Sequence, residues 1–166
     1  MKIIGFSHIE GQVKMVLKCD SSLLVNRKPF FIPDWSGDVR MTPCVVLRVC
    51  KLGKNIGARF ASRYFDAVAP ALNICAADVL SQGDSVKAWA FDYSLPMGQM
   101  VSPSDWDLSD LILSLEEAIQ RVSEIMTIRQ GDLIFVDRNV PSRPLVREEV
   151  ISVQLHEQEL LYCKVK

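Results

Sequence analysis

The fold prediction rests on residues 29–78, which read PFFIPDWSGDVRMTPCVVLRVCKLGKNIGARFASRYFDAVAPALNICAAD. Residues 44–50 are rich in valine and predict a buried strand, with Pro43 at its start, where proline is tolerated. Residues 57–68 place large apolar side chains four positions apart, which predicts a helix. We expect Pro70 to end that helix, because proline lacks the N–H that a helix interior uses.

Outside this stretch the sequence predicts further strands and one clearly marked helix. Ser114 and Glu117 have the spacing of a capping box, which places the start of a helix at Ser114. Residues 150–155 and 160–165 predict a closing hairpin. The other predicted strands are residues 2–6, 13–17, 85–91 and 133–136. Many strands with two main helices at separated places predict an α+β fold with β-rich, mixed or antiparallel sheets.

The composition is that of a globular chain without a strong electrostatic preference. With 166 residues, of which 49% are hydrophobic, we expect residues 1–166 to form a single domain with a real core. The net charge of -1 argues against partners such as nucleic acid or an anionic membrane. No window approaches the roughly 18 apolar residues that a membrane span needs. Five cysteines without a CxxC pair predict reduced core thiols in a cytoplasmic protein.

Three blocks of the chain, in matching order, resemble the fumarylacetoacetate hydrolase family. The first is residues 29–78, in which KLGKNIGARFASRYFDAV is similar to a helix of the family and its approach. The second is residues 87–98, KAWAFDYSLPMG, and the third is residues 122–135, VSEIMTIRQGDLIF. The resemblance implies a β-rich fold of the kind found in the family's C-terminal domain, which is often dimeric.

The chemistry implied by this resemblance depends on a divalent cation. Members of the family hydrolyse, decarboxylate or isomerise β-dicarbonyl or 2-oxo acids with Mg²⁺ or Mn²⁺, held by a Glu-x-Glu pair and an Asp. The pair falls at Thr42 and Cys44, and the Asp falls at Asn73. Hard cations require charged oxygen ligands, so we expect the family's Mg or Mn to be absent. A family lysine falls at Trp89, which predicts an indole that fills the former pocket.

The base and the lid implied by the family are altered as well. The family's His-Glu base follows the first strand, but His8 and Glu10 do not fall in its frame. The family's Thr-Gly-Thr-Pro loop falls at residues 136–139, which read Val-Asp-Arg-Asn. We therefore predict a single domain that is shortened in the N-terminal lid and base region. No residue is assigned as catalytic or as a metal ligand.

Other combinations of reactive side chains stay open as alternatives. His8 and Glu10 lie two positions apart and could share one face of a strand as a base pair. Cys44 and Cys75 could supply two thiols to a soft-metal site, although a closed zinc site needs four ligands. Cys44 as a nucleophile would need a partner that lowers the pKa of its thiol, and the sequence identifies none. A basic stretch that could hold an anion, or be a solvated loop, contains Arg138, Arg143 and Arg147.

The leading functional hypothesis is a pseudoenzyme that keeps the fold of the family and has a binding or assembly role. We expect a homodimer, or an assembly with a catalytic homologue, and neither nucleic acid nor membrane as a partner. One alternative is a divergent hydrolase, isomerase or decarboxylase that acts on a small 2-oxo or β-dicarbonyl acid. A second alternative is a small-molecule or soft-metal binding module. The vestigial pocket positions are Thr42, Cys44, Asn73 and Trp89.

Overall fold

A mixed six-stranded sheet forms the centre of the fold. The computed structural model describes all residues from 1 to 166. The strands are β1 (Ile3–Ile9), β2 (Gln12–Lys18), β3 (Leu23–Leu24), β4 (Val39–Val49), β5 (Phe65–Ala76), β6 (Leu95–Pro96), β7 (Leu133–Asp137), β8 (Arg143–Pro144), β9 (Val150–Leu155) and β10 (Gln158–Lys164). The helices are α1 (Ala58–Ala61), α2 (Ala77–Ser81), α3 (Ser85–Trp89) and α4 (Leu115–Ile125). Two short 3-10 turns cover Asp20–Ser22 and Pro103–Asp105.

The order of the strands explains how distant parts of the sequence meet. The main sheet runs β2-β1-β7-β4-β5, and β8 pairs with β4 next to β7. β1 and β7 are parallel, whereas the other pairs in this sheet are antiparallel. Two smaller sheets pair β9 with β10 and β3 with β6. The predicted α+β class with mixed sheets is confirmed. None of the helices is both long and apolar enough to cross a membrane.

The predicted helix over residues 57–68 is mostly wrong. Only Ala58–Ala61 is helical, and β5 begins at Phe65. The residues from Phe65 onward pair along the whole length of β4, so pairing with β4 prevails over the four-residue spacing. Pro70 does not end a helix but lies inside β5, where its carbonyl accepts from the Gly98 N–H at 2.8 Å.

Two further predictions about local structure are corrected. Residues 85–91, predicted as a strand, contain the helix α3, because Asp84 caps its start and accepts from the Lys87 N–H at 3.0 Å. Pro43 is not at the start of β4 but near its middle. Along one edge, β4 pairs with β8 before Pro43 and with β7 after it. The N–H that proline lacks therefore lies at the break between these two pairings and removes no bond from a continuous ladder.

The first hairpin and the last helix agree with the sequence. β1 and β2 are joined by Glu10 and Gly11 alone, both with positive φ, which is the geometry of a tight hairpin turn. Ser114 accepts from the Glu117 N–H, and the Glu117 carboxylate accepts from the Ser114 N–H, so the predicted capping box is confirmed.

Successive side chains of β4 point to opposite faces of the sheet, and a separate part of the core packs on each face. Val45 and Leu47 belong to a cluster of 16 buried residues that also contains the apolar side of α4. Cys44 and Val46 point to the other face, into a cluster of 13 buried residues that includes Trp89 of α3. This second face carries the positions that the sequence singles out.

Candidate functional site

The predicted pocket positions come together on the α3 side of the sheet. Thr42 and Cys44 are alternate residues of β4 and therefore share a face. Asn73 of β5 is the direct cross-strand partner of Thr42. Trp89 packs into the same apolar cluster as Cys44. The structure therefore places all four residues in one region, although they are spread over 48 positions of sequence.

A buried carboxylate, Asp137, lies among these positions. It ends β7, is the direct partner of Cys44 on β4, and is only 2% exposed. It accepts from the Ser7 hydroxyl at 2.5 Å, and from the Asn73 side-chain amide at 3.0 Å and 3.2 Å. In the sequence, Asp137 falls within the altered loop at residues 136–139 and has no predicted role. Its position directly after an apolar strand was the available signal.

A buried cation, Lys18, lies on the same face at the end of β2. It is 2% exposed, and its ammonium donates to the Ile74 carbonyl at 2.9 Å, the Trp89 carbonyl at 2.9 Å and the Ser94 hydroxyl at 3.0 Å. These contacts tie β2 to β5 and α3. A lysine that ends an edge strand gives no sign of burial in sequence, so Lys18 is not among the predicted site residues.

Burial shifts the pKa values of these groups in opposite directions. Desolvation raises the pKa of Asp137 to about 7, although Ser7 and Asn73 partly oppose this by hydrogen bonding. Desolvation lowers the pKa of Lys18 to about 7. It also raises the pKa of Cys44 well above its ordinary value and that of Cys75 to about 12. At neutral pH both thiols are therefore protonated, which suits neither a nucleophile nor a metal ligand.

A polar cleft of about 530 Å³ opens above Asp137. Ser7, Thr42 and Asp137 form part of its wall, together with His8, Arg40, Arg138 and the segment 139–142. Val140 is the hydrophobic exception among its lining residues. A smaller cavity of about 90 Å³ shares Ser7, His8, Arg40, Thr42 and Ser142 with the cleft. We call this the inner cavity; it is also lined by Asn73, Cys75, Ala77, Leu80 and Trp89.

The arginines around the cleft differ in how many of their N–H groups already have a partner. Arg40 donates to Ser142 through Nε at 3.2 Å and through Nη2 at 3.1 Å, and its Nη1 lies 3.5 Å from Oδ1 of Asp38. Arg138 donates to the Asp107 carbonyl at 2.9 Å, which leaves most of its five N–H groups for other partners. The other two arginines of the predicted basic stretch are ion-paired, Arg143 with Glu149 and Arg147 with Asp34.

The alternative assignments find little geometric support. Glu10 pairs with Lys14 at 2.8 Å rather than with His8. Cys44 and Cys75 lie in the same buried cluster. No group of three or more His, Cys, Asp or Glu side chains in the chain is arranged to hold a metal ion.

A separate cavity of about 510 Å³ lies between the segment 24–28, the segment 96–99 and β10. Arg27 occupies part of this space, where it pairs with Glu159 and lies over the Tyr162 ring, 4.5 Å from its centroid. None of the predicted site residues lines this cavity.

Comparison with known proteins identifies the fold. No protein-family model and no curated protein matches the chain. Among solved structures, fumarylpyruvate hydrolase from Pseudomonas aeruginosa, determined in complex with Mn²⁺ and pyruvate, is 17% identical with a TM-score of 0.86, covering 99% of this chain and 89% of that chain. The 2-hydroxyhepta-2,4-diene-1,7-dioate isomerase from Mycobacterium marinum is 18% identical with a TM-score of 0.85. The match covers 99% of this chain and 73% of the isomerase chain. A protein from Yersinia pestis CO92, described as belonging to the fumarylacetoacetate hydrolase family, is 17% identical with a TM-score of 0.84, covering 99% and 92%.

Proposed function

We propose that this chain, which has the fold of the fumarylacetoacetate hydrolases and related isomerases, is a non-catalytic member of that family that binds a small organic anion in its cleft. The fold supports the family. The chemistry of the cleft supports the binding role, because a shared fold alone does not fix activity.

The contact between Asn73 and Asp137 carries the proposal. A divalent cation would need oxygen lone pairs directed at it, but here an amide directs its hydrogens at the buried carboxylate. The neighbouring ligand positions offer the Thr42 hydroxyl and the protonated thiol of Cys44. This donor set does not fit Mg²⁺ or Mn²⁺.

The walls of the cleft support an anionic ligand. Two guanidinium groups, Arg40 and Arg138, face a space that is lined almost entirely by polar side chains. Guanidinium groups bind carboxylates through paired hydrogen bonds and keep their charge at all physiological pH values. Thr42 lines both the cleft and the inner cavity, and its side chain carries a hydroxyl group that can donate to an anion. A carboxylate can therefore be held here without a metal.

The melting temperature of the purified chain tests this function. It is measured with oxalate alone, with Mn²⁺ alone and with both, since a ligand of the native state raises the midpoint. We expect oxalate alone to raise it and Mn²⁺ to add nothing. Arg138→Gln should lose most of the oxalate effect, whereas Arg121→Gln, an exposed position on α4, should keep it. A rise that requires Mn²⁺, together with turnover of an acylpyruvate, would show that the protein is a metal-dependent enzyme.

A second candidate function is a divergent, metal-independent hydrolase or isomerase. One observation favours it: Ser7 and Asp137 are hydrogen-bonded at the floor of a cleft, and the pKa of Asp137 is raised to about 7. A group with such a pKa is suited to proton transfer near neutral pH. Turnover of an acylpyruvate in the presence of EDTA, lost in Ser7→Ala, would favour this candidate over the non-catalytic one.

We also propose that the protein is a cytoplasmic homodimer or associates with a catalytic homologue. The outer edge of β2 supports self-association. The main-chain N–H and C=O groups of Val13, Met15 and Leu17 point away from β1 and have no partner. Such an edge can add a strand from a second chain. Light scattering should give the mass of two chains, and Met15→Pro should give that of one, because proline removes an N–H at the middle of the edge.

A further inference from the structure

Positive charge is concentrated in one stretch of an otherwise balanced chain. Residues 39–65 contain six lysines and arginines and no aspartate or glutamate, although the net charge of the whole chain is -1. Four of these cations, Lys51, Lys54, Arg59 and Arg63, are exposed and lie between β4 and β5. We call these four residues the basic patch. None of them forms an ion pair in the folded chain.

The segment between β4 and β5 is folded back on itself and onto the end of α4. The Cys50 N–H donates to the Tyr64 carbonyl at 2.9 Å, and the Lys51 ammonium lies 5.6 Å from the centroid of the Tyr64 ring. Lys54 donates to the Glu124 carbonyl of α4 at 3.1 Å, and α1 packs against the same helix. The basic patch is therefore gathered on one side of the molecule.

Two guanidinium groups of the basic patch share one aromatic ring. The Cζ atoms of Arg59 and Arg63 lie 4.5 Å and 5.6 Å from the centroid of the Phe60 ring, which is 41% exposed. Two like charges are thus held close together, and their repulsion is unfavourable while neither has a counterion. A carboxylate beside the ring would remove this repulsion, because it can accept from both groups.

Exposed apolar side chains accompany the basic patch. Leu52 is 67% exposed and Ile125 is 66% exposed. Both lie next to the place where Gly53 pairs with Ile128, so they belong to the same surface. Together with Phe60 they give a positively charged surface an apolar component. A surface of this kind is complementary to carboxylates that flank an apolar side chain.

The other end of α4 limits the size of the partner. Residues 105–117 contain five acidic residues and no lysine or arginine. α4 has 11 residues, so its two ends are about 15 Å apart at a rise of about 1.5 Å per residue. A flat anionic membrane or a long nucleic acid on this face would meet both ends and be repelled by one of them. A short acidic segment of a protein would meet the basic end alone.

We propose that the basic patch, together with Leu52, Phe60 and Ile125, is a docking surface for a short acidic segment of a partner protein. Carboxylates of that segment pair with Arg59 and Arg63, since guanidinium groups bind carboxylates through two parallel hydrogen bonds. An apolar side chain of the segment packs on Phe60. None of these residues lines the polar cleft, so docking leaves the cleft open.

A synthetic peptide provides the direct test. The probe is a fluorescein-labelled peptide with three glutamates on each side of one phenylalanine, and its affinity for the purified full chain is measured by fluorescence anisotropy. We expect saturable binding that weakens as the salt concentration rises. A peptide with glutamines in place of the glutamates should not bind, and one with serine in place of the phenylalanine should bind about threefold or more weakly.

Matched variants locate the binding surface. The double variant Arg59→Gln and Arg63→Gln should weaken binding by about tenfold or more. Lys28→Gln combined with Lys87→Gln removes the same charge at exposed positions outside the basic patch and should bind like the wild type. Absence of peptide binding, or equal affinity of the two double variants, would overturn the proposal.

Two further probes test the class of partner. Vesicles that contain phosphatidylserine and a single-stranded thymidine oligonucleotide are measured under the same conditions. Weaker binding of both than of the peptide would support an acidic protein segment. Binding of either that equals or exceeds that of the peptide, and that is lost in the double arginine variant, would assign the surface to a membrane or a nucleic acid instead.

Discussion

The side-chain nitrogen of Asn73 lies 3.0 Å from one carboxylate oxygen of Asp137 and 3.2 Å from the other. Asn73 is the position at which the resemblance to the fumarylacetoacetate hydrolases implies an aspartate. An aspartate there would bring a second carboxylate against Asp137 in a buried place, which is unfavourable without a cation between them. The uncharged amide instead donates hydrogen bonds to Asp137, so the site holds one carboxylate here rather than two and needs no cation to separate them.

Restoring the carboxylates should restore cation binding. In the triple variant Thr42→Glu, Cys44→Glu and Asn73→Asp, the repulsion among carboxylates should lower the melting temperature without metal. Mn²⁺ at about a hundred times its Kd should then raise it by about 5–10 °C. The double variant Thr42→Gln and Cys44→Gln has similar volume without charge and should show no response. If the triple variant folds but Mn²⁺ does not raise its melting temperature, these three positions are not arranged around one cation site.

Asp137 should make stability depend on pH between about 4 and 7. Its pKa in the folded protein, about 7, lies above its ordinary value of 3.8, so the folded state binds the proton more tightly. The stabilisation by this proton is complete below pH 4 and is lost as the pH rises to 7. Asp137→Asn should therefore gain in unfolding free energy relative to the wild type between pH 4.5 and pH 7.5, measured in urea. Asp92→Asn, at an exposed position, is the control; an equal trend in both variants would contradict the assignment.

Lys18 should act in the opposite sense at higher pH. Its folded pKa, about 7, lies below its ordinary value of 10.5, so the unfolded state binds more protons in this interval. The wild type should gain stability between pH 7 and pH 9.5, and Lys18→Met should lack this gain. Lys14→Met, on the same strand but accessible to solvent, should retain the wild-type slope. Parallel curves for the wild type and Lys18→Met would show that Lys18 stays charged on burial.

Gly5 should tolerate no side chain. A methyl group at this position of β1 would lie 2.1 Å from the Phe135 ring of β7, which is fully buried. Gly5→Ala should therefore lower the free energy of unfolding by at least about 2 kcal/mol through overpacking. Gly57→Ala, where an added methyl group meets nothing within 4 Å, should change it by about 0.5 kcal/mol or less. The double variant Gly5→Ala and Phe135→Leu should recover part of the loss; no recovery would place the strain elsewhere.

Features of this fold that depend on neighbouring residues can be predicted from the sequence. Strand pairings between distant segments, which can override a local pattern, cannot. The capping box at Ser114 and the closing hairpin depend on neighbouring residues and are confirmed. Residues 65–68 carry a helical spacing, yet they form part of β5 because β4 offers a continuous partner that lies 16 or more positions away. That partnership is invisible to a pattern read along one segment.

The candidate site is likewise only partly predictable from the sequence. Thr42, Cys44 and Asn73 could be chosen because the resemblance assigns them a place. Lys18 and Asp137 carry the charges of the buried region but belong to β2 and β7, far apart in sequence. Only the strand order brings them to one face, and only burial gives them unusual pKa values.

The turn at Glu10 and Gly11 has a consequence for the kinetics of any ligand. Since β1 returns at once into β2, no flap at this end can fold down over the open mouth beside His8. A molecule bound on the His8 side of the cleft could therefore exchange with solvent without any movement of this hairpin.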